Sequence, residues 1–414
     1  MSTVLFFFNN LRLDDNRALQ KAIDYGDPIL PVVINDVDRQ QKKWFGWSSM
    51  GRYRHQFWLE SVKDLNESLK SFCVDLAWLT GTPLSALKKI TSSTRPARVI
   101  VPHVIGQYEA ADLLALSNYC NDENIAFECV WDWTLIDHVD LSRLSNGFTG
   151  FRKRVEKSLK VAESIKRPDV IPFIPHNLPT FKMNDLTLSS PLIATGGESA
   201  AKKHLNDYIW ESKAVLHYKQ TRNKLIGKHV SSKLSYYLAN GCLSVRTIYH
   251  AIKQFELRVK KNESTYWLIF ELLWRDFFQF QYLKHHNHWF SYGGLQQKDW
   301  QPPSLNSDTC LAWANGETSN DFINANMIEL KKTGYMSNRG RQNAASYLIH
   351  DLGQDWRYGA AVFEHYLMDY DMASNIGNWM YIAGVGNSSQ LRVFNVNSQQ
   401  ERYDKSLTFT NHWL

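Results

Sequence analysis

The sequence predicts an N-terminal α/β domain with a doubly wound parallel sheet, followed by an all-helical domain. Strand and helix signals alternate over the first ~135 residues, as a parallel sheet with crossover helices requires. After Gly197 the strand signal disappears and helical periodicity continues to about Tyr370. The 414 residues also exceed what one compact core usually takes. We therefore expect an α/β domain over 1–133, a connector over 134–197 and a helical domain over 198–414.

The expected sheet is built from apolar runs that are rich in β-branched and aromatic residues. In chain order these runs are TVLFFF (3–8), PILPVVIN (28–35), DLAWLTG (75–81), ARVIVPH (97–103) and AFECVW (126–131). Apolar residues recurring at three and four positions predict intervening helices over Arg52–Phe72 and over 106–123.

The segment from about Thr134 to Ser199 carries several prolines and serines, which is typical of a connector. Beyond it, three segments have the length and apolar spacing of helices. They are AAKKHLNDYIW (200–210), TYWLIFELLWRDFFQFQYL (265–283) and NAASYLIHDLGQDW (343–356). The second half is therefore expected to be helical throughout.

Composition narrows the classes of function. The formal net charge is +6 and the pI about 8.8, which suits a nucleic-acid partner without requiring one. No apolar run reaches the ~18 residues of a membrane span, and VLFFF after Met1 lacks a basic leader. The five cysteines are scattered without a Cys-x-x-Cys pair, which favours reduced thiols over an iron–sulfur or zinc site. We expect a cytoplasmic protein with no structural metal and no membrane partner.

Aromatic residues make up 13% of the chain, including 15 Trp. This enrichment is usual for core packing, and it also suits a planar cofactor or unstacked bases. His285, His286 and His288 have no acidic or Cys partner at ligand spacing, so we expect a polar helix end there and not a metal site.

Ser231, Ser232 and Ser235, together with Lys233, come just before an apolar helical run. Hydroxyls, a cation and exposed amides at a helix start can bind a phosphate. The same pattern also occurs as an ordinary N-cap beside a solvated lysine. The residues alone leave both interpretations open.

Glu271, Trp274 and Arg275 are three and four positions apart, so they share one face of a predicted helix. Glu271 and Arg275 could form an intrahelical ion pair on a mostly buried helix. They could equally be a polar pair that lines an aromatic pocket. The spacing does not distinguish these alternatives.

The segment MSNRGRQNAASYL (336–348) places cations and amides at a helix start, with no acidic residue before Asp351. Its polar members are Asn338, Arg339, Arg341, Gln342 and Asn343. Such a cluster indicates a phosphate-bearing partner, unless its counter-charge comes from elsewhere in the chain. Asp369, at the start of DYDMASNIGNWMY (369–381), is the obvious candidate for that counter-charge.

Together these segments resemble the photolyase/cryptochrome family, and within it the DASH-type cryptochromes. The resemblance is carried by MSNRGRQNAASYL, DYDMASNIGNW and AGVGN in combination, with support from SSKLS, ELLWRDFF and FTGFRKRVEK. It covers nearly the whole chain and is specific from about Phe148 to Asn387. It implies an N-terminal antenna-type domain and a C-terminal FAD-binding domain, with a folate (methenyltetrahydrofolate) as a second, antenna chromophore.

By motif match, the resemblance also implies which residues contact FAD. They are Tyr218, Ser231, Ser232, Lys233, Leu234 and Ser235 around the pyrophosphate, and Arg341, Asp369, Asp371 and Asn375 around the flavin ring. Arg341 and Asp369 would form an ion pair beside the ring, and Asn375 would face flavin N5. A neutral amide can accept from N5–H or donate to N5 without adding negative charge.

The activity that the resemblance implies is repair of cyclobutane pyrimidine dimers by electron transfer from excited, reduced flavin, with the dimer flipped into a pocket. Glu271 matches the carboxyl that hydrogen-bonds the dimer, and Trp274 matches the aromatic that packs on it. Asn338 matches a further pocket residue, while Arg222 and Arg339 are expected to bind DNA. The competing interpretation is a blue-light receptor or nucleic-acid-binding regulator that photoreduces its flavin with little or no repair.

Tyr381 stands where double-strand photolyases carry a second Trp. A smaller ring packs less well on an extruded dimer and recovers less of the unpairing energy, so we expect a preference for single-stranded DNA. The resemblance further implies an electron-transfer chain of Trp379, Trp356 and an outer Trp. Trp300 can be that outer member if about three residues are inserted after it. We expect the protein to act as a monomer.

Two departures from the family pattern bear on the cofactors. Phe8 and Asn10 replace an arginine and an aspartate near the start, which affects the expected antenna loading. The segment 316–327 loses a turn and an aspartate, so we expect a rebuilt loop and the loss of a flavin or DNA contact. The replacing residues are Ser319, Asn320, Asp321 and Asn324.

Overall fold

The computed structural model describes residues 2–182, 193–297, 301–388 and 390–414. Its N-terminal half contains a five-stranded sheet in the order β5-β2-β1-β6-β7, in which every pair is parallel. The strands are β1 (Thr3–Phe7), β2 (Ile29–Asn35), β5 (Ala77–Thr80), β6 (Arg98–Pro102) and β7 (Ala126–Val130). The predicted doubly wound parallel sheet and its five strands are confirmed.

Helices cover both faces of this sheet, which is why its strands are apolar on both sides. Val4 and Phe6 of β1 point to one face and pack in a core with two helices, α4 (Pro83–Thr91) and α5 (Gln107–Asp122). Leu5 and Phe7 point to the other face and join the core that continues into the helical half. The same half also contains α1 (Arg17–Asp24), α2 (Val37–Gln41), α3 (Arg52–Lys70) and a short hairpin, β3 (Lys43–Trp44) and β4 (Trp47–Ser48).

The expected connector contains a helix that its composition did not indicate, α6 (Phe148–Glu156). This helix is short and rich in cations, and its buried residues are Phe148 and Phe151. Tertiary packing of these two rings, rather than helix propensity, therefore accounts for it. The chain then returns along the sheet, where Phe173 bridges Ile29 and Thr180 bridges Ala77.

The C-terminal half is helical, as predicted. Its longest helix, α11, runs over 23 residues and begins at a capping box formed by Asn262 and Thr265. The helices in chain order are α7 (Glu198–Asn206), α8 (Tyr218–Thr221), α9 (Ser235–Ala239), α10 (Val245–Arg258), α11 (Glu263–His285), α12 (Ser307–Asn315), α13 (Asp321–Thr333), α14 (Asn338–Ser346), α15 (Trp356–Tyr366), α16 (Met372–Ala383), α17 (Val396–Tyr403) and α18 (Thr408–Trp413).

The prediction of one helix over 343–356 is wrong. Helix α14 ends at Ser346, a π turn covers Tyr347–Asp351, and Gly353 has a φ of +63°. Asp355 then accepts from the Arg357 amide and caps α15, which begins at Trp356. The apolar spacing continues across the break because both helices bury residues in the same core, so periodicity alone could not find it.

A buried ionic cluster joins the two halves. We call it the clamp: Arg12, Asp15, Asp132 and Arg246, whose side chains are at most 3% exposed. Asp132 accepts from Arg12 and, at 2.6 Å, from Arg246 on α10. Arg246 Nε also lies 3.0 Å from Asp15 Oδ2. These contacts fix the N-terminal segment and the end of β7 against the helical half.

Within the described residues, no helix has both the length and the apolar character needed to cross a membrane. The same part of the chain holds no group of three or more His, Cys, Asp or Glu side chains that could bind a metal ion. All five cysteines are free thiols.

Candidate functional site

Two adjoining cavities in the helical half contain most of the predicted site residues. The serine cavity encloses about 1110 Å³, including space open to solvent, and lies between the Ser231–Ser235 segment, α8, α11 and α14. The tryptophan cavity encloses about 570 Å³ between α14, α15 and α16 and is lined by Trp379. The two share the residues Asn338, Arg341, Asp369, Asp371 and Ser374. One elongated ligand could therefore occupy both.

All five residues from Ser231 to Ser235 line the serine cavity, as does Tyr218. The segment leads into α9, which begins at Ser235 and has only five residues, so the expected apolar helical run is interrupted soon after it begins. Lys233 has a φ of +49°, which folds the segment into a tight turn that directs polar groups to one side. Burial lowers the pKa of the Lys233 ammonium, while the carboxyl of Glu329 opposes that shift.

The turn is held in place by the end of α7 and the residue that follows it. His204 Nε2 donates to the Ser232 carbonyl at 2.7 Å, which fixes the position of its hydrogen because a carbonyl can only accept. Asp207 Oδ2 lies 2.8 Å from Lys228 Nζ and 2.9 Å from His229 Nε2. Hydrogen bonds from these two side chains lower the pKa of Asp207 to about 2. Sequence reasoning did not identify His204 or Asp207, because their partners are 21 or more positions away.

Arg341 and Asp369 form the predicted ion pair at the junction of the two cavities. Arg341 Nη2 lies 2.9 Å from both carboxylate oxygens, and Arg341 Nε donates to the Met336 carbonyl at 2.9 Å. The aspartate side chain is 3% exposed and the arginine side chain 26%. The pair is therefore anchored in protein on one side and open to a ligand on the other.

Asp371 is fixed by three neighbours at the same junction. It caps α16 by accepting from the Ser374 amide at 2.8 Å, and it accepts from Gln279 Nε2 at 2.8 Å. Arg275 Nε lies 3.7 Å from Asp371 Oδ2, and Arg275 also donates to the Trp133 carbonyl at 2.7 Å. Gln279 was not predicted, although it stands four positions after Arg275 on α11 and so shares its face.

Asn375 lies on α16 and lines the tryptophan cavity. Its Nδ2 donates to the Ala360 carbonyl at 3.0 Å. This bond uses one of the two Nδ2 hydrogens, so the amide oxygen and the second hydrogen remain available. Both hydrogen-bonding options that the sequence allowed are therefore kept.

Glu271 lines the serine cavity and forms an ion pair with Arg222, which lines the same cavity. Burial raises the pKa of Glu271, and the nearby Arg222 guanidinium opposes this shift. The alternative of an intrahelical ion pair with Arg275 is wrong, because Arg275 turns to Asp371 instead. Tertiary partners thus replace the neighbour that helical spacing favoured.

Trp274 and Tyr381 lie edge to face, with ring centroids 6.5 Å apart, but neither ring lines the two cavities. Asn338 lines both cavities at the start of α14. Arg339 points away from them: its guanidinium lies 4.8 Å from the Tyr403 ring centroid, and Nη2 lies 3.4 Å from Asn223 Oδ1.

Trp379 and Trp356 are both buried, each at 2% exposure. Gly359 allows α15 to approach Trp379 closely, since a Cβ there would lie 2.1 Å from the indole. Trp356 Nε1 donates to the Tyr292 carbonyl at 3.0 Å. The predicted outer member, Trp300, lies outside the described residues. A further buried indole, Trp313, lies edge-on to Trp379 at 6.1 Å and was not predicted.

The departures from the family pattern are accommodated locally. Asn324 accepts from the Thr318 amide at 2.8 Å and donates to the Thr318 carbonyl at 2.8 Å, and Asn320 caps α13. The loop is thus closed by amide groups, and residues 316–327 line neither cavity. Near the N-terminus, Asn10 Oδ1 accepts from the Phe8 amide at 3.0 Å, so Asn10 keeps a structural role.

The cavities fit a dinucleotide cofactor with a planar ring. Hydroxyls and a lysine at the Ser231–Ser235 turn suit a pyrophosphate, and the Arg341–Asp369 pair and the Asn375 oxygen suit a ring with donors and acceptors on its edge. Gln342 Oε1 is buried at the tryptophan cavity without a hydrogen-bond partner among the described residues, which is expected of a group that a ligand satisfies.

A third cavity, the switch-point cavity, encloses about 1400 Å³ between the sheet and the helical half, including open space. It is lined by Phe7 and Phe8 after β1 and by Val104 and Ile105 after β6. These two adjacent strands have their connections on opposite sides, and open α/β sheets bind ligands at that point. Arg39, Arg54 and Glu109 add charge to the walls.

Residues 267–414 match the family described as the FAD-binding domain of DNA photolyase, and residues 3–170 match the family described as DNA photolyase. A cryptochrome DASH of Natronomonas pharaonis is 39% identical, with 100% of this chain and 90% of the relative covered. The cryptochrome DASH of Xenopus laevis is 38% identical, with 98% and 81% covered.

Among solved structures, the cryptochrome of Synechocystis sp. PCC6803 matches with a TM-score of 0.94 at 36% identity, covering 100% of this chain and 89% of that one. A class III photolyase from Agrobacterium tumefaciens matches with a TM-score of 0.85 at 25% identity, covering 100% and 86%. The helical half therefore binds FAD, in agreement with its cavities and their donors. The chain belongs to the photolyase/cryptochrome family, and within it to the DASH-type cryptochromes.

Proposed function

We propose that this protein uses blue light and reduced FAD to split cyclobutane pyrimidine dimers, preferentially in single-stranded DNA. The observation that carries the proposal is the position of Glu271. Its carboxyl lines the same cavity as the Arg341–Asp369 pair, one helical turn from Trp274. In the proposal Glu271 bonds a pyrimidine from within the FAD site, and Trp274, on the same helix but outside the two cavities, packs on the lesion.

When bound in its reduced state, FAD supplies the electron that breaks the cyclobutane ring after excitation. The chain's residues bind and orient the substrate around it. Burial raises the pKa of Glu271, so its carboxyl takes up a proton more readily than a surface glutamate and can then donate a hydrogen bond to a pyrimidine carbonyl. Arg222, paired with Glu271, offers its remaining N–H groups to the adjacent phosphate. Asn338 adds an amide between the two cavities.

The indoles supply the route by which the cofactor is kept reduced. Trp379 lies at the tryptophan cavity and is packed by Phe363, with ring centroids 5.0 Å apart. In the proposal Trp379 and Trp356 carry electrons inward, and Trp300 is the outermost member. Asn375, held by its bond to the Ala360 carbonyl, would offer its amide oxygen to a flavin N5–H or its second N–H to an unprotonated N5.

The switch-point cavity is our proposed site for an antenna chromophore, with a folate as the candidate. Its walls combine aromatic rings with ionisable groups, which suits a pterin that stacks and hydrogen-bonds along one edge. The clamp remains intact beside it, although the family's first Arg and Asp are replaced by Phe8 and Asn10. We further propose that the protein acts as a monomer in the cytoplasm, where free thiols persist.

The test is blue-light repair of a thymine dimer by the reduced, FAD-loaded protein, in a single-stranded oligonucleotide and in the matching duplex. We expect faster repair in the single strand. Equal rates would remove the argument from Tyr381, and absence of repair in both would overturn the repair function. The alternative would then be a light receptor in which the Arg222–Glu271 pair stays closed.

A matched variant isolates Glu271 from the cofactor. Glu271→Ala removes the carboxyl that would bond the lesion, so we expect repair to fall about tenfold with unchanged FAD content. Loss of FAD in this variant would assign Glu271 to the cofactor instead of the lesion.

A further inference from the structure

The segment Phe148–Lys157, FTGFRKRVEK, has no part in the proposed function, yet its first residue touches the proposed lesion site. Phe148 is the first residue of α6 and is 7% exposed. Its ring lies parallel to the ring of Trp274, with centroids 3.7 Å apart and an angle of 11° between planes. This is a full face-to-face contact, so one face of Trp274 is covered by protein.

Other aromatic rings besides Phe148 pack around Trp274 and limit how much of its surface is exposed. Phe278 lies at 5.5 Å and 33° to it, Phe277 lies perpendicular to it at 5.7 Å, and Tyr381 lies at 6.5 Å and 70°. Trp274 is nevertheless partly exposed. Phe148 thus covers one face of the indole, and the three other rings surround it while part of its surface stays exposed.

Hydrogen bonds attach α6 and the residues just before it to α11, and they hold the Phe148 ring in place. Gln281 Nε2 donates to the Ser145 carbonyl at 2.8 Å and Lys284 Nζ donates to the Leu144 carbonyl at 2.9 Å, just before α6. Within α6, Arg152 donates to the Tyr266 hydroxyl. Phe151, one turn after Phe148, packs against Phe277 at 5.4 Å. The hydrogen bonds before and within α6 thus hold Phe148 against the Trp274 face without depending on the Phe151 ring.

We propose that Phe148 is a positioning residue for lesion recognition: it fixes the plane of Trp274 so that the indole and Tyr381 together receive an extruded pyrimidine pair. The proposal rests on the proposed function, which gives Trp274 its substrate. Without the phenyl ring, the indole can rotate into the vacated space and lose the orientation that favours stacking on a base. Discrimination between damaged and undamaged strands then falls, while the FAD site, built from other residues, is unaffected.

The test compares Phe148→Leu with Phe151→Leu in the full, FAD-loaded chain. Both changes replace a buried phenylalanine of α6, but Phe151 contacts Phe277, Phe280 and the Phe148 ring at 6.3 Å, and not Trp274. Binding is measured to a single-stranded oligonucleotide with and without one thymine dimer. We expect the preference for the dimer to fall about fivefold in Phe148→Leu and to stay within about twofold of wild type in Phe151→Leu.

A second readout does not depend on DNA. Fluorine NMR of protein labelled with 5-fluorotryptophan reports each of the 15 indoles, and Trp274→Phe identifies the resonance of Trp274 by its loss. We expect this resonance to shift or broaden in Phe148→Leu and to stay in place in Phe151→Leu. An unchanged resonance in Phe148→Leu overturns the proposal, as does an equal fall of dimer preference in both variants. If the Trp274 resonance shifts in Phe148→Leu but the wild-type protein shows no preference for the dimer, the proposed function is refuted and the positioning of Trp274 is established.

Discussion

Two guanidinium–carboxylate groups in this protein have the same chemistry and opposite surroundings. In the clamp, Arg12, Asp15, Asp132 and Arg246 are at most 3% exposed and find their partners within the chain. At the junction of the cavities, Arg341 keeps 26% of its side chain exposed while Asp369 is buried at 3%. The clamp is closed and joins two halves of the molecule. The cavity pair is half-open and faces the FAD site.

The difference follows from what buried charges cost. A buried ion pair adds little net stability, but removing one partner leaves an uncompensated charge in a low-dielectric interior. In the clamp that penalty enforces one arrangement of the halves. At the cavity, a charge that is compensated on one side only can interact with a ligand on the other. We therefore expect the first group to respond to mutation by unfolding and the second by loss of cofactor.

The largest effect is expected from Asp132→Ala. This change leaves Arg12 and Arg246 facing each other without their shared carboxylate, so we expect a loss of about 3–5 kcal/mol in the free energy of unfolding. Urea unfolding followed by circular dichroism measures it. Asp132→Asn, which retains oxygen and shape, should lose less. A loss below about 1 kcal/mol in the alanine variant would show that the clamp does not hold the halves together.

The next prediction is a pH dependence of the free energy of unfolding, caused by a buried glutamate close to Lys233 and Arg341 of the FAD site. Glu329 on α13 is buried, and burial raises its pKa from 4.5 to about 8, although Lys233 and Arg341 oppose the shift. Its Oε2 has no hydrogen-bond partner among the described residues. The folded protein therefore holds a proton that the unfolded chain releases, so this contribution to stability is full at pH values below about 4.5 and is lost as pH rises toward 8.

Glu329→Gln cannot ionise, so it should remove that dependence. We expect wild-type stability to fall by up to about 1 kcal/mol per pH unit between pH ~5 and ~7.5 through this group, and the variant to fall less steeply. Chemical unfolding at several pH values gives both slopes. Glu364 and Asp276, whose pKa values burial raises to about 7, keep their own contribution in both proteins and serve as an internal reference. Parallel slopes in the two proteins would contradict the prediction.

At the cavity pair itself, Asp369→Asn should lower the affinity for FAD about tenfold, because the amide is uncharged and offers Arg341 Nη2 one oxygen in place of two. The dissociation constant is measured from flavin fluorescence as FAD is added to the cofactor-free protein. The free energy of unfolding of that cofactor-free protein should change much less than in Asp132→Ala. Equal destabilisation with unchanged FAD affinity would mean that the pair has a structural role only.

The sequence indicated these regions unequally, for physical reasons. The five strands were predictable because a sheet covered on both faces requires apolar runs that stand out locally. The clamp was not, since its members are separated by up to 234 positions and each looks like an ordinary surface charge until the fold brings them together. Asp369 was identified as the partner of Arg341 because the segment around Arg341 lacks acidic residues and so requires a counter-charge from elsewhere.

Local spacing favoured one ion pair that does not form and gave no indication of one helix. Helical spacing made Arg275 a candidate partner for Glu271, yet Arg222 and Asp371 take these roles because side chains from other elements approach more closely. The sequence did not predict helix α6, because its composition is cationic and only two of its residues contribute to the core. Both cases show tertiary contacts overriding local preference.

The smallest expected effect concerns the support behind the Ser231–Ser235 turn. Asp207→Asn removes the charge that holds Lys228 and His229, so the turn becomes less ordered before FAD binds and the affinity for FAD falls about threefold. Asp14→Asn is the matched control, since Asp14 makes a comparable, partly exposed ion pair with Lys202 away from the turn.

The hydrogen bonds that lower the pKa of Asp207 to about 2 also predict a pH dependence: the contribution is full above pH ~4 and is lost as pH falls toward 2. If FAD affinity is the same in both variants, the turn is ordered by His204 and the cavity walls alone. The FAD site would then be formed before the cofactor binds, as the clamp is, although Arg341 is partly exposed.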